Sequence, residues 1–278
     1  MSRHAFTQVD VFTDTPLKGN PVAVVHGADG LDEAQMRAVA RWTNLSETTF
    51  VLTPTSPDAD YRVRIFTPGR ELPFAGHPTL GTCHAWLERG GVPKTPGRVV
   101  QQCASGPVAI RLDGARIAFA APPVRMAPVD DTQLALVLAA LGLGRGQVRA
   151  SRWLDNGPKW LGLVLDDAAT VLALEPDHAA LKSLVDVGVI GPHPAGSDPA
   201  FEVRGFDTPM GIPEDPVTGS LNASLAQWLI ADGMLPSRYV AAQGTRLQRA
   251  GRVHVERDGD TVWVGGASVS CILGELVL

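Results

Sequence analysis

The chain has 278 residues, of which 45% are hydrophobic and 19% charged, and its formal net charge is −5. This composition is typical of a globular protein, and without a long apolar run it disfavours contact with a membrane. The negative charge and the lack of Lys/Arg clusters interleaved with aromatic residues disfavour nucleic-acid binding. The length allows one large domain or two ordinary ones.

The cysteines and the N-terminus indicate a reducing compartment. Cys83, Cys103 and Cys271 are an odd number at wide spacing, which suits free thiols better than a disulfide framework. The first residues lack the apolar stretch of a secretory signal peptide. We therefore expect a cytoplasmic protein.

The N-terminal region is predicted to form two strands and a capped helix. Residues 5–12 and 20–25 have strand patterns around a turn that contains Pro and Gly. Asp32 followed by Gln35 fits a capping box, which predicts a helix to about Trp42. The side chains predicted to face the core are Met36, Val39 and Ala40.

A second helix is predicted after two more strands. Residues 48–53 and 61–67 are rich in β-branched and aromatic side chains, which favour strands. After Pro78, residues recur at helical spacing up to a Gly90-Gly91 stop. These residues are Leu80, Cys83, His84 and Leu87. Further short strands are predicted at 98–103, 108–112 and 116–120.

The second half has a similar order of elements. A helix is predicted at 132–141 and a strand at 160–165. Pro216 is predicted to begin another helix, because proline suits the first helical position. Residues 253–256 and 261–264 fit a β-hairpin.

Two segments, one in each half, resemble one another. The first contains Arg64-Ile65-Phe66-Thr67-Pro68 and Gly76-His77-Pro78-Thr79, and the second contains Arg204-Gly205-Phe206-Asp207-Thr208-Pro209 and Glu214-Asp215-Pro216-Val217-Thr218-Gly219-Ser220. His77 pairs with Asp215 in this comparison, and their numbers differ by 138, about half the chain. The repeat predicts two β-rich lobes, each around one helix, with a ligand site in the cleft between them. Two helix N-termini facing that cleft would favour an anion.

Several segments together resemble the phenazine-biosynthesis PhzF family. The main ones are Asn44-Leu45-Ser46-Glu47-Thr48-Thr49-Phe50-Val51, Phe74-Ala75-Gly76-His77-Pro78-Thr79-Leu80-Gly81 and Glu214–Ser220. Shorter ones are Asn156-Gly157-Pro158, Gln243-Gly244 and Val264-Gly265-Gly266, so the similarity covers nearly the whole chain. The resemblance implies the α+β fold of diaminopimelate epimerase, in which two pseudo-symmetric lobes are each a β-barrel wrapped around a central helix. The lobes would be residues 1–122, with the strand 266–278 as a candidate to complete it, and 123–265. A homodimer is also implied.

The resemblance implies an active site that works without a cofactor. Relatives with this fold use one cysteine at the start of each central helix, but here Ala75 precedes Gly76 and no cysteine precedes Gly219. In the PhzF family a single carboxylate replaces the thiols, and it maps onto Glu47. Partial burial would raise the pKa of this carboxyl group, which would let it act as acid and base near neutrality.

The same mapping assigns roles to other residues. His77 and Asp215 would be helper acid/base or hydrogen-bonding groups, although both could instead be plain helix caps. The predicted substrate-binding residues are Ser46, Gly76, Gly219 and Ser220, the last three through backbone amides. Gly81 is predicted to serve helix packing.

Neither a metal nor a nucleotide cofactor is predicted. His77, Cys83 and His84 lack the helical spacings of a zinc site, with two histidines at i, i+4 or two cysteines at i, i+3. The sequence also contains no Walker-type loop and no G-x-G-x-x-G after a strand.

The sequence therefore predicts an isomerase that moves a proton within a small carboxylate-bearing substrate through Glu47. Two alternatives stay open. One is an epimerase or racemase in which Glu47 and either His77 or Asp215 act on opposite faces of one carbon. The other is a non-catalytic protein that binds a metabolite.

Overall fold

The computed structural model describes residues 1–278, apart from the side chain of Met210, and the chain divides into two compact units. The first unit comprises Met1–Ala120 and Gly265–Leu278, and the second comprises Ala121–Val264. Within the described part of the chain, no helix has both the length and the apolar character that crossing a bilayer requires.

The first unit is a closed barrel of eight strands around a helix. Its elements are β1 (Arg3–Val11), β2 (Asn20–Val25), α1 (Glu33–Thr43), β3 (Glu47–Leu52), β4 (Tyr61–Phe66), β5 (Glu71–Leu72), α2 (Gly76–Glu88), β6 (Arg98–Cys103), β7 (Gly106–Asp113), β8 (Arg116–Ala120) and most of β17 (Thr261–Val277). The pairing order is β17, β1, β2, β3, β4, β6, β7 and β8, and β8 pairs with β17 to close the ring. The short strand β5 pairs only with β4 in this ring.

The second unit has the same order of strands. Its elements are β9 (Arg125–Ala127), α3 (Asp131–Leu141), β10 (Val148–Asp155), β11 (Lys159–Leu165), α4 (Ala168–Ala173), α5 (His178–Leu181), β12 (Asp186–Pro192), β13 (Phe201–Asp207), β14 (Ile212–Asp215), α6 (Gly219–Ala231), β15 (Arg238–Gln243), β16 (Gly251–Asp258) and the start of β17. β9, β10, β11, β12, β13, β15 and β16 pair in that order, and β14 pairs with β13 as β5 does with β4. Counted from β1 in the first unit and from β10 in the second, successive strand pairs are antiparallel, parallel, antiparallel, parallel and antiparallel in both units. The fold is therefore a repeated α+β architecture.

The repeat extends to a pair of ionic side chains. In the first unit Arg64 donates two hydrogen bonds to Glu71, and in the second Arg204 donates two to Glu214. Each guanidinium group also lies over the phenylalanine two residues further along, at 5.0 Å and 4.9 Å from the ring centroid. The predicted correspondence of these two arginine segments is confirmed by this shared geometry.

The central helix of the first unit is buried over most of its circumference. Its first eight residues and Ala85 are all buried, although the sequence pattern predicted only one apolar face. Because the barrel surrounds the helix, every face of the helix is shielded from water. Small residues therefore stand where an exposed helix would have a polar face. Gly81 shows this need, because a Cβ atom there would lie 2.4 Å from Val22 Cγ1 and 2.9 Å from Val11 Cγ2.

Local sequence patterns predicted α1 correctly but misplaced the start of α6. Asp32 and Gln35 form the predicted capping box, and Met36, Val39 and Ala40 are the buried residues of α1, as predicted. The prediction that Pro216 begins a helix is wrong, since α6 begins three residues later at Gly219. The reason is that Asp215 pairs with Gly205 as part of β14, while the backbone N–H of Thr218 is held by the side chain of Gln243.

The alternative interpretation of His77 and Asp215 as helix caps is also wrong. The N-cap of α2 is Ala75, so that His77 is the second helical residue and Pro78 the third. The N-cap of α6 is Thr218. Counted from the helix starts, the counterpart of His77 is Ser220 rather than Asp215.

Candidate active site

The two central helices begin without a capping side chain, unlike the other four helices. The N-caps of α1, α3, α4 and α5 are all aspartates whose carboxylates accept backbone N–H groups of the first turn: Asp32, Asp130, Asp167 and Asp177. Ala75 and Thr218, which precede α2 and α6, make no such bond. Uncapped N–H groups at a helix start favour a bound anion, because the helix dipole adds positive potential there.

Glu47 lies at the first position of β3, where it pairs in register with Val22 of β2. Its side chain is only 14% exposed. Burial raises the pKa of the Glu47 carboxyl group from its ordinary value of 4.5 to about 7, against a smaller opposing effect of a hydrogen bond from Ser46. A carboxyl group with this pKa can both accept and return a proton near neutral pH.

His77 lies directly beside this carboxyl group. Its Nε2 atom is 3.2 Å from Oε2 of Glu47, and its side chain is 6% exposed. On the other side of the ring, Nδ1 is 3.3 Å from Nδ2 of Asn20, the first residue of β2. The first unit therefore places an amide, an imidazole and a carboxyl group in one row.

The second unit holds Asp215 in a buried hydrogen-bond network. Thr218 donates its hydroxyl proton to Oδ2 of Asp215 at 2.6 Å, and Gln243 donates to the backbone oxygen of Asp215. The Gln243 side-chain oxygen in turn accepts from the backbone of Thr218 and from the amide of Asn222. The network fixes the extended segment that leads into α6.

Ser220 is held at the second position of α6 by two groups. Trp160 donates its indole N–H to the Ser220 hydroxyl at 3.2 Å, and Asn156 donates to the Ser220 backbone oxygen at 3.0 Å. Gly219, which begins the helix, is buried. The indole bond leaves the hydroxyl proton of Ser220 available for another acceptor.

Of the predicted site residues, Ser46, Glu47, Gly76 and His77 belong to the first unit, while Asp215, Gly219 and Ser220 belong to the second. Sequence reasoning gave no role to two residues that hold these groups, Asn20 and Gln243, although Gln243-Gly244 is one of the segments that resemble the family. Asn20 was placed only where the predicted turn meets the predicted strand 20–25, and no role was given to its side chain. Nothing in the sequence pattern indicates that the Gln243 side chain bonds to Thr218, because 25 residues separate the two.

The cysteines take no part in either group of residues. Cys83 and Cys103 are buried free thiols, and burial raises the pKa of Cys83 to about 12, which disfavours the reactive thiolate. Across the described residues, no three His, Cys, Asp or Glu side chains are grouped so that they could hold a metal ion.

Solved structures share this two-unit α+β fold. A hydroxyproline epimerase from Agrobacterium vitis shares the fold, with a TM-score of 0.65 over 99% of this chain and 92% of that chain at 13% identity. A phenazine biosynthesis protein of the PhzF family from Enterococcus faecalis is more similar, with a TM-score of 0.83, 29% identity and full coverage of both chains.

The family model described as phenazine biosynthesis-like protein (PhzC-PhzF) matches residues 9–274, and the chain belongs to this family of isomerases and epimerases. One relative is trans-2,3-dihydro-3-hydroxyanthranilate isomerase of Pseudomonas aeruginosa, 36% identical over 96% of this chain and 95% of that protein. Another is antisense-enhancing sequence 1 of Schizosaccharomyces pombe, 37% identical over 99% of both.

Proposed function

We propose that the protein is a cofactor-independent isomerase in which Glu47 moves a proton between two carbons of a small carboxylate-bearing substrate. The observation that carries the proposal is the buried Glu47 carboxyl group, whose pKa of about 7 matches both halves of a proton shuttle. The Nε2 atom of His77, 3.2 Å away, supplies the neighbouring polar group.

The proposed reaction has two proton transfers. In the first, the ionised Glu47 takes a proton from a substrate carbon, and the electrons of that C–H bond delocalise into the substrate. In the second, the protonated Glu47 returns the proton to a different carbon of the same substrate. The proton count of substrate and enzyme is unchanged after one turnover, so no external acid or base is consumed.

The substrate carboxylate would be bound by the uncapped helix starts. Gly76 and His77 begin α2, and Gly219 and Ser220 begin α6, so each helix has backbone N–H groups without a capping side chain. Ser220 adds a hydroxyl group, and Ser46 adds another beside Glu47. We include Asp215 in the proposal as a hydrogen-bonding partner of polar groups of the substrate.

The test uses trans-2,3-dihydro-3-hydroxyanthranilate, the compound named for the Pseudomonas aeruginosa relative, together with a panel of small carboxylates. Each compound is incubated with the protein in D₂O, and both deuterium incorporation and product formation are followed by NMR. The Glu47→Gln variant should keep the fold and form product at least about a hundredfold more slowly, the lower bound of typical general acid–base contributions. Glu275→Gln is the matched control, because that side chain is 58% exposed and pairs with an exposed Arg3.

The outcomes separate the alternatives. Movement of a hydrogen between two carbons supports an isomerase, whereas inversion at one carbon with solvent deuterium supports an epimerase or racemase. Tight binding of a compound with neither product formation nor exchange at any carbon supports a non-catalytic protein. Full activity in Glu47→Gln contradicts the role of this residue whichever reaction is found.

We also propose a cytoplasmic homodimer. Three free cysteines fit a reducing compartment, and Ile272 and Leu273 on β17 are exposed apolar side chains suited to a contact between copies. Sedimentation equilibrium should give about twice the chain mass of 29.4 kDa. A mass that equals one chain at micromolar concentration would contradict the dimer.

A further inference from the structure

Asn20 occupies a rigid and buried position next to His77. It is the first residue of β2, pairs with Val11 of β1 and is 1% exposed. The preceding Gly19 donates its backbone N–H to Oδ2 of Asp10, and a Cβ atom at Gly19 would lie 2.3 Å from the Val11 oxygen. Both features fix the backbone from which the Asn20 side chain extends.

The contact between the two side chains assigns a tautomer. The Nδ2 group of Asn20 is an NH₂ group that can only donate, so Nδ1 of His77, 3.3 Å away, must accept. An accepting Nδ1 carries no proton, so a neutral imidazole carries its proton on Nε2. This is the nitrogen that lies 3.2 Å from Oε2 of Glu47. The bond made at one ring nitrogen therefore decides what the other nitrogen offers.

We propose that Asn20 is a positioning residue that holds His77 as the Nε2–H tautomer, so that the proton taken from the substrate stays on Glu47. This inference rests on the proposed function of Glu47 and adds a residue to it. An Nε2–H group can donate to the Glu47 carboxylate but has no lone pair with which to remove its proton. Proton transfer to and from the substrate then involves Glu47 alone.

The Asn20 contact matters because an imidazole with an unprotonated Nε2 atom would compete with the substrate for the proton on Glu47. An imidazole nitrogen without a proton is the most common general base in proteins, and Nε2 lies 3.2 Å from Oε2 of Glu47. With a bare Nε2 atom facing Glu47, the Glu47 O–H bond could break and an Nε2–H bond form. The substrate would then receive a proton other than the one it lost, or would receive its own proton back only after a delay.

The test compares Asn20→Asp with Asn20→Ala and with the control Asn44→Asp. A carboxylate at position 20 can only accept, so it requires a proton on Nδ1, and in the neutral ring this leaves a bare Nε2 atom facing Glu47. Asn20→Ala removes the bond and permits both tautomers. Asn44→Asp adds the same charge at an exposed position in the same unit, where Asn44 follows α1.

The primary readout is the tautomer of His77 by ¹⁵N NMR, in which protonated and bare ring nitrogens are well separated. The His77 signals among the seven histidines are assigned by their loss in His77→Gln. We expect a protonated Nε2 in the unmodified protein and in Asn44→Asp, and a protonated Nδ1 in Asn20→Asp. A protonated Nδ1 in the unmodified protein would overturn the proposal, and this measurement needs no folded Asn20 variant, only a folded His77→Gln for the assignment.

The second readout is the fate of the transferred hydrogen. Trans-2,3-dihydro-3-hydroxyanthranilate carrying deuterium at the carbon that loses hydrogen is converted in H₂O, and the deuterium kept in the product is measured. Asn20→Asp should keep several-fold less deuterium than Asn44→Asp, and an equal fraction in both would overturn the proposal. Turnover by Glu47→Gln would instead refute the proposed function and leave the tautomer result standing.

Discussion

The most informative perturbation is Glu47→Gln, which should make the folded protein more stable at alkaline pH. Burial raises the Glu47 pKa from 4.5 to about 7, so the folded state binds this proton more tightly than the unfolded state. Below pH 4.5 the group is protonated in both states and adds no pH dependence. As the pH rises from 4.5 to 7, the unfolded state loses the proton first and the unmodified protein loses stability.

The magnitude follows from the size of the shift. A change from 4.5 to about 7 corresponds to roughly 3 kcal/mol, which is lost in full only above pH 7. Glutamine mimics the neutral carboxyl group and has no proton to lose, so the variant avoids this cost. The side chain is 14% exposed, so solvent screening reduces the value only modestly.

The assay is urea unfolding of both proteins from pH 4 to pH 8. The free energy of unfolding of Glu47→Gln minus that of the unmodified protein should change by about 3 kcal/mol in favour of the variant across this range. Groups that titrate equally in both proteins cancel in this difference. In Glu275→Gln the difference should stay nearly constant. A difference for Glu47→Gln that is flat with pH, or that favours the unmodified protein at pH 8, would refute the reasoning.

Three substitutions, two of them with a comparison variant, test the packing that supports the site, each by urea unfolding at neutral pH. Arg204→Ala should cost about 3–5 kcal/mol, because it leaves a buried carboxylate unpaired, whereas Arg64→Ala in the more exposed counterpart should cost about 1 kcal/mol; equal costs would contradict the difference in burial. Gly81→Ala should cost about 1–3 kcal/mol by overpacking, and Gly30→Ala, whose Cβ would meet open space, should be nearly neutral. Gln243→Leu should cost about 1–3 kcal/mol for each of the two buried donors that lose their acceptor, and an unchanged stability would show that the network adds nothing.

The sequence was most informative where the signal was local. The capping box at Asp32 and Gln35 needs only four residues, and it fixed both the start and the buried face of α1. The repeated arginine segments were also visible, because each arginine and its glutamate partner lie only 7 or 10 positions apart in the sequence.

Contacts between distant residues were not predictable. The start of α6 was misplaced because a side chain 25 residues away holds the backbone of Thr218, and a proline fits a turn as well as a helix start. The sequence comparison matched His77 with Asp215 because each precedes a proline. Counted from the first residue of each helix, His77 instead corresponds to Ser220. The contact between Asn20 and His77 joins residues that are 57 positions apart in the sequence. No local pattern indicates it.

The central claim is that the Glu47 carboxyl group changes its protonation state near neutral pH in the folded protein. Its ¹³C carboxyl resonance, assigned by its loss in Glu47→Gln, can be titrated directly from pH 4 to pH 9. We predict a midpoint near pH 7. A midpoint near the ordinary value of 4.5 would contradict the account.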